Sequence, residues 1–355
     1  MPASTLKIPE KNLKDFTLEE LKSLVDSLGE APYRAGQLYL WLFKKGAMSI
    51  DGMTDVSKKF RGALKDLGYY TGGPDVIEKR ISRDASVKLL LAPGNGERIE
   101  SVAIPEGKRL TLCVSTQTGC ALGCRFCRTG NIGPGRNLKL SELAGQVHAA
   151  EALAGDGLFE GFKKITNIVL MGMGEPLLNY DEVVRFLKVL TDSKGMGFSA
   201  RKVTLSTSGI VPAIKKLGGA TDVNLAVSLN ATTDAQRSLL MPVNKRYPLK
   251  ELLSALRQYP LSKKRYITIE YVLIKDINDS KDDAKRLALL LRGIPCKINL
   301  IPFNPFPGSG FERPGSERVS AFQKILVEGR YTSVIRTGRG SDIEAACGQL
   351  RGARL

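Results

Sequence analysis

At 355 residues, with 43% hydrophobic and 25% charged residues, the chain has enough apolar material for one large core plus a small accessory unit, so one to three domains bound the answer. Its 53 lysines and arginines outnumber 36 acidic residues, giving a net charge of +17; this excludes an acidic disordered chain and points to a polyanionic partner, RNA, DNA or an anionic membrane surface, which charge alone does not separate. No apolar run is long enough to span a bilayer, the start Met1-Pro2-Ala3-Ser4-Thr5-Leu6-Lys7 lacks the hydrophobic core of a signal peptide, and six cysteines at this size do not make a secreted disulfide scaffold. The expectation is a cytoplasmic protein that does not engage the membrane, and a monomer, since no coiled-coil pattern is present.

Residues 1–75 read as a helical accessory unit. Thr17-x-x-Glu20 is a capping box ahead of Leu21, Leu24, Val25 and Leu28 at helical spacing, and a second apolar helix runs through Gln37-Leu38-Tyr39-Leu40-Trp41-Leu42. Residues 76–105 change to short alternating runs, Val87 to Leu91 and Arg98 to Ile104, broken by Pro93-Gly94-Asn95-Gly96, which predicts a β-hairpin connector.

Over 106–340, strand-like runs alternate with amphipathic helices: Leu110 to Ser115, Asn167 to Met171, Lys202 to Leu205, Asn224 to Ser228, Ile267 to Ile274 and Lys297 to Pro302. Six strands with intervening helices predict an α/β fold, a partial (β/α)6 barrel in which chemistry gathers where strands end and loops begin. Residues 341–355 form a C-terminal segment whose polar, glycine-flanked sequence around Cys347 reads as a flexible loop with a reactive thiol. Cys296, in Ile294-Pro295-Cys296, reads instead as a core residue. The basic pairs Lys44-Lys45, Lys58-Lys59, Lys163-Lys164, Arg201-Lys202 and Lys245-Arg246, with Lys263-Lys264-Arg265, are scattered and suit a broad docking surface rather than a tail.

The loop after the first of these strands carries Cys120-x-x-x-Cys124-x-x-Cys127, with aromatic Phe126 before the last cysteine. A structural zinc site wants four ligands, and neither a second cysteine pair nor a nearby histidine is there, His148 being the only histidine in the chain. Three thiolates on one short loop suit a 4Fe-4S cluster with one iron left open to a substrate. The other strand ends offer small polar groups: Gly174 and Glu175 in Met171-Gly172-Met173-Gly174-Glu175-Pro176, Ser206 in Ser206-Thr207-Ser208-Gly209, then Ser228-Leu229-Asn230 and Asn304. Glu175 can meet a cation.

The cysteine spacing resembles that of the radical S-adenosylmethionine (SAM) superfamily, in which SAM chelates the open iron and the glycine-glutamate segment binds its ammonium. Cys113-Val114-Ser115, the cluster loop, Arg136-Asn137-Leu138, Gly172 to Asn179, Ser206 to Gly209, Leu300 to Pro305 and Ala345 to Leu350 together resemble the RlmN family over nearly the whole chain. That family methylates carbon 2 of an adenine in 23S rRNA and in certain tRNAs. The resemblance implies a 4Fe-4S cluster, two SAM molecules per turnover, and an electron donor of the flavodoxin or ferredoxin type.

It also implies roles. One SAM methylates the Cys347 thiolate; a radical made from the second SAM activates that methyl for addition to adenine; Cys113 then attacks the sulfur of Cys347, giving a disulfide and free product. Glu100 matches the position proposed as proton acceptor, with a surface carboxylate as its plain alternative. Where many members have Ser-Leu-His, this chain has Ser228-Leu229-Asn230, and Asn can replace a neutral imidazole as donor and acceptor. Two other readings stay open: a Cfr-like carbon 8 methyltransferase, and a non-catalytic RNA-binding or ribosome-assembly protein with a structural metal.

Overall fold

A computed structural model describes residues 11–262 and 264–352 of the chain. The leader reading above, Lys263 and the last three residues lie outside the described residues.

Short strand β1 (Lys11–Asn12) pairs in parallel with β2 (Tyr69–Tyr70), and between them lie helices α1 (Leu18–Ser27), α2 (Tyr33–Tyr39) and α3 (Lys58–Asp66). The capping box is present: Thr17 N–H donates to the Glu20 carboxylate at 2.7 Å and Glu20 N–H donates back to the Thr17 hydroxyl at 3.4 Å, a cap worth about 1 kcal/mol. The second helix starts earlier than its apolar run suggests and its last part, Leu40–Lys44, is a π-helical turn that buries Leu42 and Phe43.

This unit is seated on the rest of the protein. Leu13, Leu21, Val25, Leu38, Leu42 and Phe60 belong to one continuous core with the strands. Arg185 ion-pairs with Glu20 at 2.6 Å, Ser141 N–H donates to Asp15 at 2.9 Å, and the Lys44 ammonium donates to the Ser193 carbonyl at 3.0 Å. His148 is part of this seam and is no ligand: its Nε2 lies 2.9 Å from the Phe43 carbonyl and its Nδ1 3.4 Å from the Lys14 ammonium. Burial, with Lys14 opposite, pushes the imidazole down to about 4, and burial alone brings Lys14 down to about 8.

The main sheet has ten strands in linear order. Antiparallel β3 (Asp75–Ile81), β4 (Val87–Gly94) and β5 (Glu97–Glu106) lead into β6 (Arg109–Cys113), from which parallel pairing runs through β7 (Asn167–Leu170), β8 (Val203–Thr207), β9 (Asn224–Ser228), β10 (Ile267–Leu273), β11 (Cys296–Pro302) and β12 (Ser333–Ile335). All six predicted strands are present. A seventh parallel strand, β12, and the fully exposed β3 were not predicted, and the hairpin is an integral part of the sheet rather than a mere link.

Helices α4 (Arg128–Ile132), α5 (Leu140–Gly155), α6 (Tyr180–Thr191), α7 (Val211–Leu217), α8 (Asp234–Leu240), α9 (Leu249–Arg257), α10 (Lys281–Leu290) and α11 (Ser316–Glu328) fall between successive parallel strands. The amphipathic helices cover one face: Ile269 and Tyr271 of β10 are fully buried, with the Tyr271 ring 5.4 Å from Phe322 of α11. The alternate residues of the same strands, Ser228, Glu270 and Asn299, share one row by register and face the hollow enclosed by the curved sheet. Among the described residues no helix is long and apolar enough to cross a membrane.

Candidate active site

Strand β6 ends at Cys113, and the chain then turns across the top of the sheet. Its departure is fixed by Gln146 of α5, which accepts from Ser115 N–H at 2.8 Å and donates to the Ser115 carbonyl at 2.9 Å. The Ser115 hydroxyl accepts from Met173 N–H at 2.8 Å, tying the ends of β6 and β7 together. The approach is so close that a Cβ on Gly172 would stand 2.6 Å from the Ser115 hydroxyl oxygen, and one on Gly174, at φ +97°, 2.6 Å from the Gln117 Cβ. Only glycine fits there.

The cluster loop follows. Cys120 N–H donates to the Gly133 carbonyl at 2.8 Å, Cys127 N–H to the Cys124 carbonyl at 3.1 Å, and Arg125 N–H to the Leu240 carbonyl at 3.0 Å. Arg136 clamps the return of the loop, reaching Glu97 at 2.5 Å and Glu142 through two bonds of 2.8 and 2.6 Å. Gly130 of α4 packs on the loop so tightly that an added Cβ would lie 2.9 Å from both the N and the O of Cys124.

Burial pushes the Cys120 thiol up to about 12 and the Cys124 thiol higher still, and the mutual influence of Cys120, Cys124, Cys127 and Glu175 adds to it, so these groups share one volume. Cys120 and Cys124 are buried and Cys127 half-buried, and a metal centre bound to them would hold all three as thiolates. Among the described residues no three cysteine, histidine or acidic side chains converge on a single ion. The thiolates of a multi-iron cluster bind different iron atoms and stand farther apart than the ligands of a single ion.

Glu175 is buried at the edge of this volume. Its carboxylate accepts from Leu177 N–H at 3.1 Å and Ser208 N–H at 2.8 Å, so the ends of β7 and β8 are joined through it. Burial raises its pKa, and the hydrogen bonds from Ser208, Thr207 and Leu177 oppose that rise. Ser206 and Ser228 are half-buried at the ends of β8 and β9. Leu229 is fully buried and offers only backbone to its surroundings, its carbonyl accepting from Arg237 Nε at 3.0 Å.

Asn230 is also engaged within the protein. It sits at φ +57° with its Oδ1 accepting from Val272 N–H at 2.8 Å and its Nδ2 3.3 Å from the Met241 sulfur, so the side chain holds the β9 turn. Asn304 is the reverse case: Nδ2 donates to the Cys347 carbonyl at 3.2 Å, while the buried Oδ1 has no partner. The orphaned oxygen lies against Gly338, where an added Cβ would stand 2.5 Å from it, and a buried acceptor without a partner is a place for a ligand donor.

The Cys347 segment lies against the cluster loop, with a Cβ on Gly348 standing 4.0 Å from the Cys127 Cα. The Cys113 and Cys347 thiols are both pushed up to about 12 by burial, and for Cys347 the nearby Cys113, Cys127 and Glu270 add to the rise while Arg336 opposes it. Cys347 nonetheless has accessible surface, whereas Cys113 is buried. Both facts hold if the Cys347 sulfur opens on the enclosed hollow rather than on bulk water. All six cysteines are free, and Cys296 is buried on β11 as expected. Glu100 is no surface carboxylate: it is buried on β5, ion-paired with Lys88 at 3.2 Å and accepting from Arg351 N–H at 2.9 Å.

Three contributors had no signal in the sequence. Arg237, fully buried on α8, donates to the carbonyls of Ser208 at 2.6 Å and Ser228 at 3.2 Å and so braces two strand ends; burial brings it down to about 10. Gln117 accepts from Glu175 N–H at 2.9 Å. Glu270, pushed up to about 7 by burial, puts a carboxylate in the hollow held by Asn299 at 2.9 Å.

A parallel α/β sheet with a three-cysteine loop after its first parallel strand, two of the thiols buried, and a buried glutamate after the second is that of a radical SAM enzyme. The family model described as the radical SAM superfamily matches residues 114–288, and that described as the ribosomal RNA large subunit methyltransferase N-terminal domain matches residues 11–69. The dual-specificity RNA methyltransferase RlmN of Anaeromyxobacter sp. (strain Fw109-5) is 50% identical over 345 residues, 96% of this chain and 91% of that one. RlmN of Pseudomonas fluorescens (strain SBW25) is 48% identical over 99% of this chain and 92% of its own. The crystal structure of a radical SAM methyltransferase from Sphaerobacter thermophilus superposes with a TM-score of 0.89 at 42% identity, covering 97% of this chain and 100% of that one. The chain belongs to the RlmN family; it is an enzyme, and its family works with a 4Fe-4S cluster and SAM.

Proposed function

We propose that the protein methylates carbon 2 of an adenine in 23S rRNA and in tRNA, with Cys347 carrying the methyl group and Cys113 releasing the product. The observation that supports this reading is the docking of the Cys347 segment on the cluster loop, where Arg128 N–H donates to the Gly348 carbonyl at 2.7 Å and a Cβ on Gly348 would lie 4.0 Å from the Cys127 Cα. A structural metal site has no use for that docking.

Carbon 2 of adenine is electron-poor and its hydrogen is not acidic, so ionic alkylation fails there; the cluster on Cys120, Cys124 and Cys127, when bound, supplies the one-electron reduction of SAM that a radical route requires. Glu175 receives the ammonium of SAM, Gly174 lets the backbone come close, Ser206 and Ser228 face its polar groups, and the free Oδ1 of Asn304 accepts a hydrogen bond from it. Cys347 first takes a methyl group by polar displacement, and a sulfonium beside it works against the burial that keeps its thiol protonated. Once a hydrogen atom has left the methyl on Cys347, the resulting methylene has bonded to carbon 2, and an electron and the carbon 2 proton are gone, the Cys113 thiolate attacks the Cys347 sulfur: the S–S bond forms as the S–CH2 bond breaks, and the released carbon takes a proton to become the methyl of the product. The disulfide is therefore a transient of turnover. Glu100 is the candidate acceptor of the proton, held by Lys88.

The unit at 11–70, with exposed Lys44, Lys45, Lys58 and Lys59, docks folded RNA through its phosphates while the target base is flipped towards Cys347. A flavodoxin- or ferredoxin-type donor, a monomeric state and a cytoplasmic setting complete the reading. The test is mass spectrometry of adenosines from unmodified 23S rRNA and tRNA after incubation with reconstituted protein, SAM and reductant. We expect 2-methyladenosine; 8-methyladenosine would move the chain to the Cfr side, and SAM cleavage with neither product would overturn the RNA assignment.

A further inference from the structure

The segment carrying Cys347 docks directly on the residues that follow the last cluster cysteine. Arg128, next to Cys127 and first in α4, donates its backbone N–H to the Gly348 carbonyl at 2.7 Å and ion-pairs through its guanidinium with Glu344 at 2.8 Å. The Thr129 hydroxyl donates to the Leu350 carbonyl at 2.6 Å. Three contacts thus fall on both sides of Cys347 within seven residues, all from two consecutive residues of one short helix. Glu344 itself sits at φ 54°, a conformation unfavourable for a residue with a Cβ, and its carbonyl accepts from the Lys88 ammonium at 3.2 Å. Something must hold it there. The Arg128 side chain is 16% exposed and that of Glu344 34%, and the guanidinium nitrogen in the pair has no other partner among the described residues, so the charge of Glu344 is its one compensation there.

We propose that Arg128 is a positioning residue: by clamping Glu344 it fixes the Cys347 segment on the cluster loop and sets where the Cys347 sulfur points in the hollow. The clamp rests on the carrier role of Cys347 for its meaning in catalysis, but not for its existence. It also couples two loops that meet nowhere in sequence. A shift of α4 would be passed to the carrier sulfur through the backbone bond to Gly348, and the side-chain pair decides how firmly.

The experiment uses the full-length reconstituted protein. Iodoacetamide alkylation of Cys347 is followed by peptide mass spectrometry, with Cys296 as internal reference, in Arg128→Lys, Arg128→Ala, Glu344→Gln and the charge-swapped pair Arg128→Glu with Glu344→Arg. We expect Arg128→Ala and Glu344→Gln each to change the Cys347 rate by about tenfold, as loss of a partly buried ion pair would, while Cys296 keeps its rate and iron content is unchanged. Arg128→Lys and the swapped pair should recover most of the original rate. With RNA and SAM present, the two single losses should raise the number of 5′-deoxyadenosines formed per methyl group transferred, a loss of coupling that general destabilisation would not produce. Unchanged alkylation in Arg128→Ala and Glu344→Gln overturns the clamp, as does a swapped pair no better than the single losses. Alkylation needs neither SAM nor RNA, so a protein that methylates nothing would still report on the clamp, and the two readings fail separately.

Discussion

The loop bearing Cys120, Cys124 and Cys127 and the segment bearing Cys347 bring thiols to the same hollow by opposite means. The first is held mostly from within: Cys120 to Gly133, Thr118 to Arg136 and Cys127 to Cys124 are short-range backbone bonds, and Gly119, Gly130 and Gly135 let the backbone pack upon itself. The second borrows its hold from distant residues, namely Asp84, Lys88, Glu100, Arg128, Thr129, Asn304 and Pro305. A loop closed on itself suits a resident group that must never shift. A segment pinned at scattered points can be released point by point, which suits a sulfur that must meet methyl donor, base and Cys113 in turn.

The largest effects should come from the thiols themselves and should separate the two regions cleanly. Cys124→Ala should lose the iron and the brown colour together with all SAM cleavage, measured by iron analysis and chromatography. Cys347→Ala should keep the iron yet yield neither product nor adduct, while Cys113→Ala should accumulate a covalent RNA–protein adduct on a denaturing gel. A Cys347→Ala protein that still methylates would sink the carrier role.

Next in size is Gly130→Ala. Its Cβ would lie 2.9 Å from the Cys124 backbone, and overpacking of this kind costs about 1–3 kcal/mol, so urea melts and iron content should both fall. An unchanged iron content would mean that the loop is less self-contained than its hydrogen bonds imply.

The hollow between the regions can be sharpened by pH. Glu270 goes from 4.5 to about 7 on burial, so the folded state favours its protonated form. Its contribution to stability is complete below about 4.5 and is lost as pH rises through about 7. Glu270→Gln should remove that slope and, at pH 8, raise unfolding stability by an amount on the order of 3 kcal/mol at most, read from urea melts between pH 5 and 8. A slope that survives in Glu270→Gln assigns the titration elsewhere.

The smallest effects belong to the outer surface. Lys58→Gln and Lys59→Gln should each weaken RNA binding slightly and reduce the slope of log K against log salt by up to about one, with turnover at saturating RNA unchanged. Salt slopes identical to the parent would place the docking surface elsewhere.

Much of this was legible in the residues. Cysteine spacing gave the cluster loop because the ligands are local, and the six long strands showed because one face of each is packed under helices. β3 did not show: Asp-Val-Ile-Glu-Lys-Arg-Ile is exposed along its whole length, so nothing selects an alternating pattern. β12 has three residues, too few for any period. The C-terminal segment read as a loose loop because the groups that hold it lie up to about 260 residues away, from Ser82 and Arg83 onward. Arg237 was hidden for a similar reason, since a helix residue reaching back to strand ends leaves no local mark. The hold of Asn230 on the β9 turn was hidden as well, since Val272, whose N–H it accepts from, lies on another strand.

The ten strands run in one line from β3 to β12, and among the described residues the two ends of that line do not pair. What crosses between them is the segment after β12, whose Gly340, Asp342 and Glu344 bond to Asp84, Ser82 and Lys88 at the other end of the line. The ring is thus completed by a strap rather than by a strand, and a strap can be let go without breaking a single strand pairing.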